Sequence, residues 1–364
     1  MKVVVIGGGV IGYSVAYELA CRGVTVHVID MRGPGGGATQ ASAGMLAPYI
    51  EGHDAALLRL GVQSLSMYDA FAARIEADAG TSIEYCRPGT LQVASTAVHA
   101  ETLAQASGRL AALGVPHELL TGQQTRALES GLAANIQSGL RIPAHGYVHV
   151  GRLMSALTSA AVRRGVTSSL DTVTALEPGA GVVTVHASMP ADVVIVAAGS
   201  WSAGLLPEAS RPAAVRPIRG QSVELAFARR ELSHVVWGDG CYLVPRQDGS
   251  MIIGATVEDV GFDESSTPAA IESLLARAEA VLPAVSSAQG RTVRVGLRPM
   301  TADELPLLGW SSTMRGVCVA TGHYRNGILL APLTARLVAD LVVDVEDPDT
   351  RWARDLVAPA RLAL

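Results

Sequence analysis

The sequence predicts an α/β protein whose buried parallel sheet is assembled from three separated stretches, with a mainly antiparallel sheet and helices inserted between them. Three runs predict it. Lys2–Ile6 is β-branched after its first residue and leads straight into Gly7-Gly8-Gly9-Val10-Ile11-Gly12. Asp192–Ala198 is a second apolar run, ended by Gly199, and Gly316–Ala320 is a third, followed by an apolar helix over Ala331–Val342. Uninterrupted apolar runs of this length mark strands covered on both faces, as in a parallel sheet.

The elements follow in order. After the glycine turn a helix runs from Val10 to about Arg22, where Gly23 ends it. Thr25–Ile29 is the second strand and completes a βαβ unit; Met31–Thr39 is a glycine-rich loop. Leu65, Tyr68, Phe71 and Ile75 recur at helical spacing. After about Tyr85 the pattern changes, and Thr90–Ala94, Gln221–Ala226, Tyr242–Pro245 and Met251–Gly254 read as short antiparallel strands. Leu153–Arg164 reads as a helix, and Thr172–Leu176 with Val182–His186 as a hairpin. Thr267 caps a helix with Pro268 in its first turn, Ile271, Leu274, Ala278 and Leu282 on one face, and Pro283 as its stop. Sorted by character, residues 1–84, 143–215 and 297–364 form the parallel-sheet domain, and 85–142 with 216–296 the inserted one.

Composition narrows the function. A chain of 364 residues, 49% of them hydrophobic, has ample core. A net charge of −5 and an aromatic share of 4% exclude a nucleic-acid surface. The mean hydropathy of +0.31 invites a membrane reading, yet no window offers about 18 uninterrupted apolar residues. Met1–Ala20 has the length of a signal peptide, but four glycines and Glu18 fit strand, turn and helix better. Cys21, Cys86, Cys241 and Cys318 are widely spaced and read as reduced thiols. Glu84, His145 and His149 have no partners at ligand spacing, so no metal is expected. The reading is a cytoplasmic protein.

Gly7-x-Gly9-x-x-Gly12 stands where a dinucleotide fingerprint must, between a buried strand and a helix. The first glycine makes the turn, the second admits the pyrophosphate, and the third lets helix pack on strand. The helix N-terminus then faces the anion, and Asp30, 18 positions after Gly12, suits the ribose hydroxyls. The fingerprint alone does not choose FAD over NAD. Thr39-Gln40-Ala41-Ser42-Ala43-Gly44-Met45-Leu46-Ala47-Pro48 adds hydroxyls and small residues for a flat ring, and Ala197-Ala198-Gly199-Ser200-Trp201-Ser202 adds a second close backbone approach.

With these segments the chain resembles the FAD-dependent D-amino acid oxidase superfamily. Within it, Ala43–Pro48, Cys241-Tyr242-Leu243-Val244-Pro245-Arg246, Gly254-Ala255-Thr256, Gly296-Leu297-Arg298-Pro299 and His323–Pro332 look like the glycine oxidases of thiamine biosynthesis. The resemblance spans nearly the whole chain and is most specific in its C-terminal motif. It implies non-covalent FAD held by Gly7, Gly9, Val10, Ile11, Gly12, Asp30, Met31, Thr39, Ser42, Ala43, Gly44 and Met45. Val173 joins them through its backbone from a middle strand, and Gly199 at the second approach. His323, Tyr324, Arg325, Asn326, Gly327, Ile328 and Leu329 wrap the flavin end. Asp30 stands where the superfamily usually has Glu. Ala38 and Gln40 stand where hydroxyl residues are common, so Thr39 and Ser42 carry more of the pyrophosphate contact.

Arg298, Tyr242 and Arg325 are the implied substrate and catalytic residues. A planar guanidinium makes two parallel charge-assisted bonds to a carboxylate, which lysine cannot reproduce. Taken without the resemblance, each has a plainer reading: a surface arginine, a helix-start arginine paired with an acid, a core tyrosine. The implied reaction is oxidative deamination of glycine, sarcosine or small D-amino acids by hydride transfer to flavin N5. Its products are the imine or glyoxylate, ammonia and hydrogen peroxide, with dioxygen as acceptor and hand-over to thiazole synthesis. Met45, Val257 and Met300 are expected to set pocket size, and the resemblance suggests a homotetramer. The rivals are a dehydrogenase using another electron acceptor, an NAD(P) enzyme, and a flavoprotein that binds without turnover.

Overall fold

The computed structural model describes residues 1–50, 54–177, 179, 181–207 and 215–362. Its parallel sheet has six strands in the order Leu307–Trp310, Val317–Thr321, Val193–Val196, Lys2–Ile6, Thr25–Asp30 and Thr167–Leu170, of which only the first runs antiparallel. Three distant stretches of the chain therefore share one sheet. Val3, Val5, Val26, Val28, Val193 and Ile195 face helices Val10–Cys21, Ala55–Ala79, Val150–Arg163 and Gly327–Val342. On the opposite side Val4, Ile6, Ile29, Val194 and Val196 pack on Val182 and its neighbours in a three-stranded antiparallel sheet, Val173–Glu177, Gly181–Thr184 and Ser188–Pro190. Both faces are covered, which is why these strands are apolar throughout.

The second large sheet has eight strands and is antiparallel except where Val235–Gly238 runs parallel to Thr90–Ala94. At one edge Gly290–Met300 pairs with Arg216–Ala226 along eleven residues of each. Pro268–Val281 packs on this sheet and closes its own apolar core. Among the described residues no helix is long and apolar enough to cross a membrane.

Several expectations need correction. The last long helix begins at Gly327, not Ala331, and encloses Pro332. Proline lacks the N–H that would bond the Ile328 carbonyl; the Tyr68 hydroxyl donates to that oxygen at 2.9 Å instead, and Ser64 to the next carbonyl at 2.7 Å. A further helix, Arg351–Val357, follows it. Thr267 stands at the N-cap of its helix, but its hydroxyl accepts from Gln221 Nε2 at 3.0 Å and caps no backbone N–H. Val173 belongs to an edge strand of the small sheet, not a middle one.

Candidate active site

The crevice starts at the first turn. Gly7 has φ of +111°, and a Cβ there would lie 2.2 Å from the Ala197 carbonyl oxygen; a Cβ on Gly12 would lie 1.8 Å from that of Gly7. Any side chain at either position would break the turn. Gly9 is the N-cap of Val10–Cys21, so the free N–H groups of that helix point out of the turn. The Val10 N–H already has a partner, the Thr39 hydroxyl, at 3.1 Å. Asp30 ends the second strand, and its carboxylate accepts from the Gly8 and Arg32 N–H groups at 2.7 Å each. That fixes the acid on the cavity wall. Ser42 accepts from the Gly44 N–H at 3.2 Å, and Gly44, with φ of +80°, leaves no room for a Cβ against the Val148 carbonyl.

Apart from Gly8, Gly12 and Val148, these residues line one cavity of about 460 Å³. Its second group of walls comes from the eight-stranded sheet. Arg298 donates through Nη1 to the Thr256 carbonyl at 2.9 Å and the Arg219 carbonyl at 3.4 Å. Among the described residues no carboxylate lies within ion-pair distance of it. Tyr242 packs on Trp237 with ring centroids 5.3 Å apart. Arginine and tyrosine both fold over glycine: Cβ atoms on Gly220 and Gly254 would meet the Arg298 guanidinium and the Tyr242 ring at 2.2 and 2.3 Å.

The C-terminal segment closes the cavity. Tyr324 adopts a left-handed φ of 48° and donates its N–H to the Pro299 carbonyl at 2.8 Å, which ties this loop to the strand carrying Arg298. His323 is buried, with Nε2 2.9 Å from the Thr334 hydroxyl, and burial lowers its pKa to about 3. It is a neutral wall residue. Arg325 is exposed, its guanidinium carbon 4.9 Å from the Tyr324 ring centroid. The start of helix Gly327–Val342 also lines the cavity, an end that favours negative charge.

Of the residues singled out in the sequence, the structure brings all the cofactor and substrate candidates to this cavity except Gly12, which sits beneath the turn. Met45 and Val257 line it; Met300 does not. Sequence reasoning missed Arg32, Gly220, Trp237 and the wall role of Trp201, and it quoted Gly254 only within a motif. A glycine facing an arginine across a strand pair leaves no local signal. Cys241 also lines the cavity, where burial pushes its thiol up to about 11. His145 is bonded to Thr90 and Tyr49, and His149 caps its own helix. No cluster of three metal-capable side chains occurs among the described residues.

The glycine cradle, the exposed helix N-terminus and the acid at the strand end fit a dinucleotide, and the second group of walls leaves a cationic chamber beside it. The family described as FAD dependent oxidoreductase, DAO, matches residues 2–341. A glycine oxidase of Geobacillus kaustophilus is 34% identical over 348 residues, covering 93% of this chain and 92% of that protein. The crystal structure of glycine oxidase from Geobacillus kaustophilus superposes with a TM-score of 0.89 at 33% identity, covering 95% of this chain and 96% of that one. A bifunctional ThiO/ThiG protein of a Nostoc species is 35% identical over 94% of this chain, which spans 52% of its length.

Proposed function

The chain belongs to the DAO family of FAD dependent oxidoreductases, and from that premise we propose that it oxidises glycine, and with it sarcosine and small D-amino acids, to the imine and on to glyoxylate and ammonia. The observation that carries this reading is Arg298. Its Nη1 donates only to peptide carbonyls, so its charge awaits an anion. Two charge-assisted bonds to an α-carboxylate satisfy it, and they select amino acids over plain amines.

FAD held in this crevice would supply the acceptor for the substrate's Cα hydride, and dioxygen would take up the electrons as hydrogen peroxide. The chain positions the substrate for this step. Arg298 and the Tyr242 hydroxyl hold the carboxylate, and Trp237 backs the tyrosine. Arg325, exposed at the cavity wall, draws the anionic end inward. Among the described residues, the carboxylates in the lining are Asp30 and Asp171, which belong to the nucleotide group, and the histidine there is neutral His323. The amine therefore binds as the free base, with no dedicated acid or base residue.

The same reading assigns residues 1–84, 143–215 and 297–364 to FAD and the remainder to the substrate. The six-stranded sheet draws on all three of those segments, which supports the assignment. Because strand Gly290–Met300 lies wholly in the antiparallel sheet, the last boundary is better placed near Thr301. A cytoplasmic homotetramer supplying the imine to thiazole synthesis completes the proposal; the joined name of the Nostoc relative favours that role.

The test is an absorbance scan of pure holoenzyme mixed anaerobically with glycine, sarcosine and D-alanine. Bleaching of the flavin band by glycine, followed by peroxide release in air, is expected. A flavin that none of the three bleaches overturns the reading. Bleaching without peroxide assigns electrons to another acceptor.

A further inference from the structure

One loop spans the crevice from its substrate group to its nucleotide group. It connects strand Ser250–Gly254 to helix Pro268–Val281. Near its start the Thr256 carbonyl accepts from Arg298, and Val257 lines the cavity. Further on, Arg219, only 4% exposed, is ion-paired with Glu258 and Asp263 and donates to the Ser265 carbonyl at 3.0 Å. The loop is thus pinned from inside the sheet, which presents Glu264 in a fixed place. There Glu264 receives Nη1 and Nη2 of Arg32 at 2.7 Å each, a parallel fork across 232 positions of sequence. Arg32 lies 4.5 Å from the centroid of the Trp201 ring, and Phe262 of the same loop packs on that indole at 5.6 Å.

Arg32 and Trp201 both line the crevice, beside Asp30, Met31 and Thr172. Asp30 marks the ribose position, so this is the adenosine end. We propose that Arg32, Trp201 and Glu264 form a clasp over the adenosine end, and that opening of this ion pair limits escape of bound FAD. The fork joins the two large sheets across the mouth of the nucleotide group, and the cation lies over the indole, so the three side chains hold one another in place. A bidentate pair is rigid where a single-point contact is not. Its partners are 32% and 34% exposed, so dissolved salt competes with it.

FAD release from holoenzyme is followed by recovery of flavin fluorescence on dilution, at low and at high sodium chloride. Glu264→Gln keeps the shape and removes the charge; Arg32→Lys keeps the charge and removes the fork. At low salt Glu264→Gln is expected to release FAD about five-fold faster than the native protein, with Arg32→Lys between the two. Salt should accelerate the native protein and leave Glu264→Gln nearly unchanged. A Glu264→Gln rate within about twofold of native at low salt, or an equal salt response in both proteins, overturns the clasp. Should Glu264→Gln yield no holoenzyme, Arg32→Lys decides by the same criteria. No substrate is present, so the result is independent of which amine the enzyme oxidises.

Discussion

Gly220 and Arg298 share one space: a Cβ on Gly220 would stand 2.2 Å from Nη2 of Arg298 and 2.3 Å from its Cζ. The two lie on paired strands, with Ile218 opposite Arg298 and Gly220 two residues along. Side chains two residues apart share a sheet face. The guanidinium therefore folds back over a position on that face that has no side chain, and the Thr256 carbonyl holds it there. Gly220→Ala should displace it while leaving the strand paired. The glycine KM is expected to rise about tenfold or more with a smaller change in kcat, and the flavin spectrum should be retained. Steady-state kinetics on the FAD-loaded variant check this, and an unchanged KM removes Gly220 from any positioning role.

Arg298 itself is tested by two substitutions that differ only in geometry. Each charge-assisted bond to a carboxylate contributes on the order of 1.5–3 kcal/mol. Arg298→Ala removes both and should therefore raise the KM for glycine by about a hundredfold or more, with FAD still bound. Arg298→Lys keeps the charge but not the fork and should recover only a small part of the loss. A lysine variant with native KM would show that a point charge suffices, and would sink the two-bond description.

Much of this architecture was legible because it is local. Lys2–Ile6 and its glycine turn, the strand ending at Asp30, and the hairpin after Thr172 are written in runs and punctuation. The site was legible in part for another reason: Arg298 and Arg325 sit in motifs quoted as resemblance, which spacing alone did not separate from surface arginines. What stayed hidden depends on contacts between distant stretches. Helix Ala97–Ala112 buries only Leu103 and Leu110, too thin a stripe to announce itself. Read from sequence, the last helix starts at Ala331, and it takes the Tyr68 hydroxyl, 260 positions before the Ile328 carbonyl it bonds, to show how Pro332 sits inside a longer one. Arg32 reads as a loop cation until Glu264 and Trp201 are seen around it.

That tyrosine yields a stability prediction. Tyr68 is fully buried, and its hydroxyl supplies the bond that Pro332 cannot give the Ile328 carbonyl. Tyr68→Phe keeps the ring and strands the carbonyl without a partner. An unpaired buried acceptor costs about 1–3 kcal/mol, so the variant should unfold at lower urea by that amount. Adding Pro332→Ala restores the helix bond and should return part of the loss. If Tyr68→Phe is as stable as the native protein, the hydroxyl is not what accommodates the proline.

Two buried histidines set the acid side of the stability profile. His145 is fully buried; its Nε2 accepts the Tyr49 N–H at 3.2 Å, so its proton sits on Nδ1, 2.8 Å from the Thr90 hydroxyl. His323 is bonded to Thr334 inside the C-terminal core. Burial lowers both to about 3, against roughly 6.5 in an unfolded chain. Between those values the unfolded state takes up protons that the folded state refuses. Stability is therefore complete above about pH 6.5 and declines as the pH falls toward 3, by about 1.4 kcal/mol per unit for each histidine. From pH 6.5 to pH 5 that is roughly 2 kcal/mol each. His145→Gln should lose stability near pH 7.5 yet show a shallower decline on acidification, smaller by about that share. Urea unfolding of the two proteins at neutral and acid pH reads the difference, and parallel declines would mean that His145 titrates alike in both states.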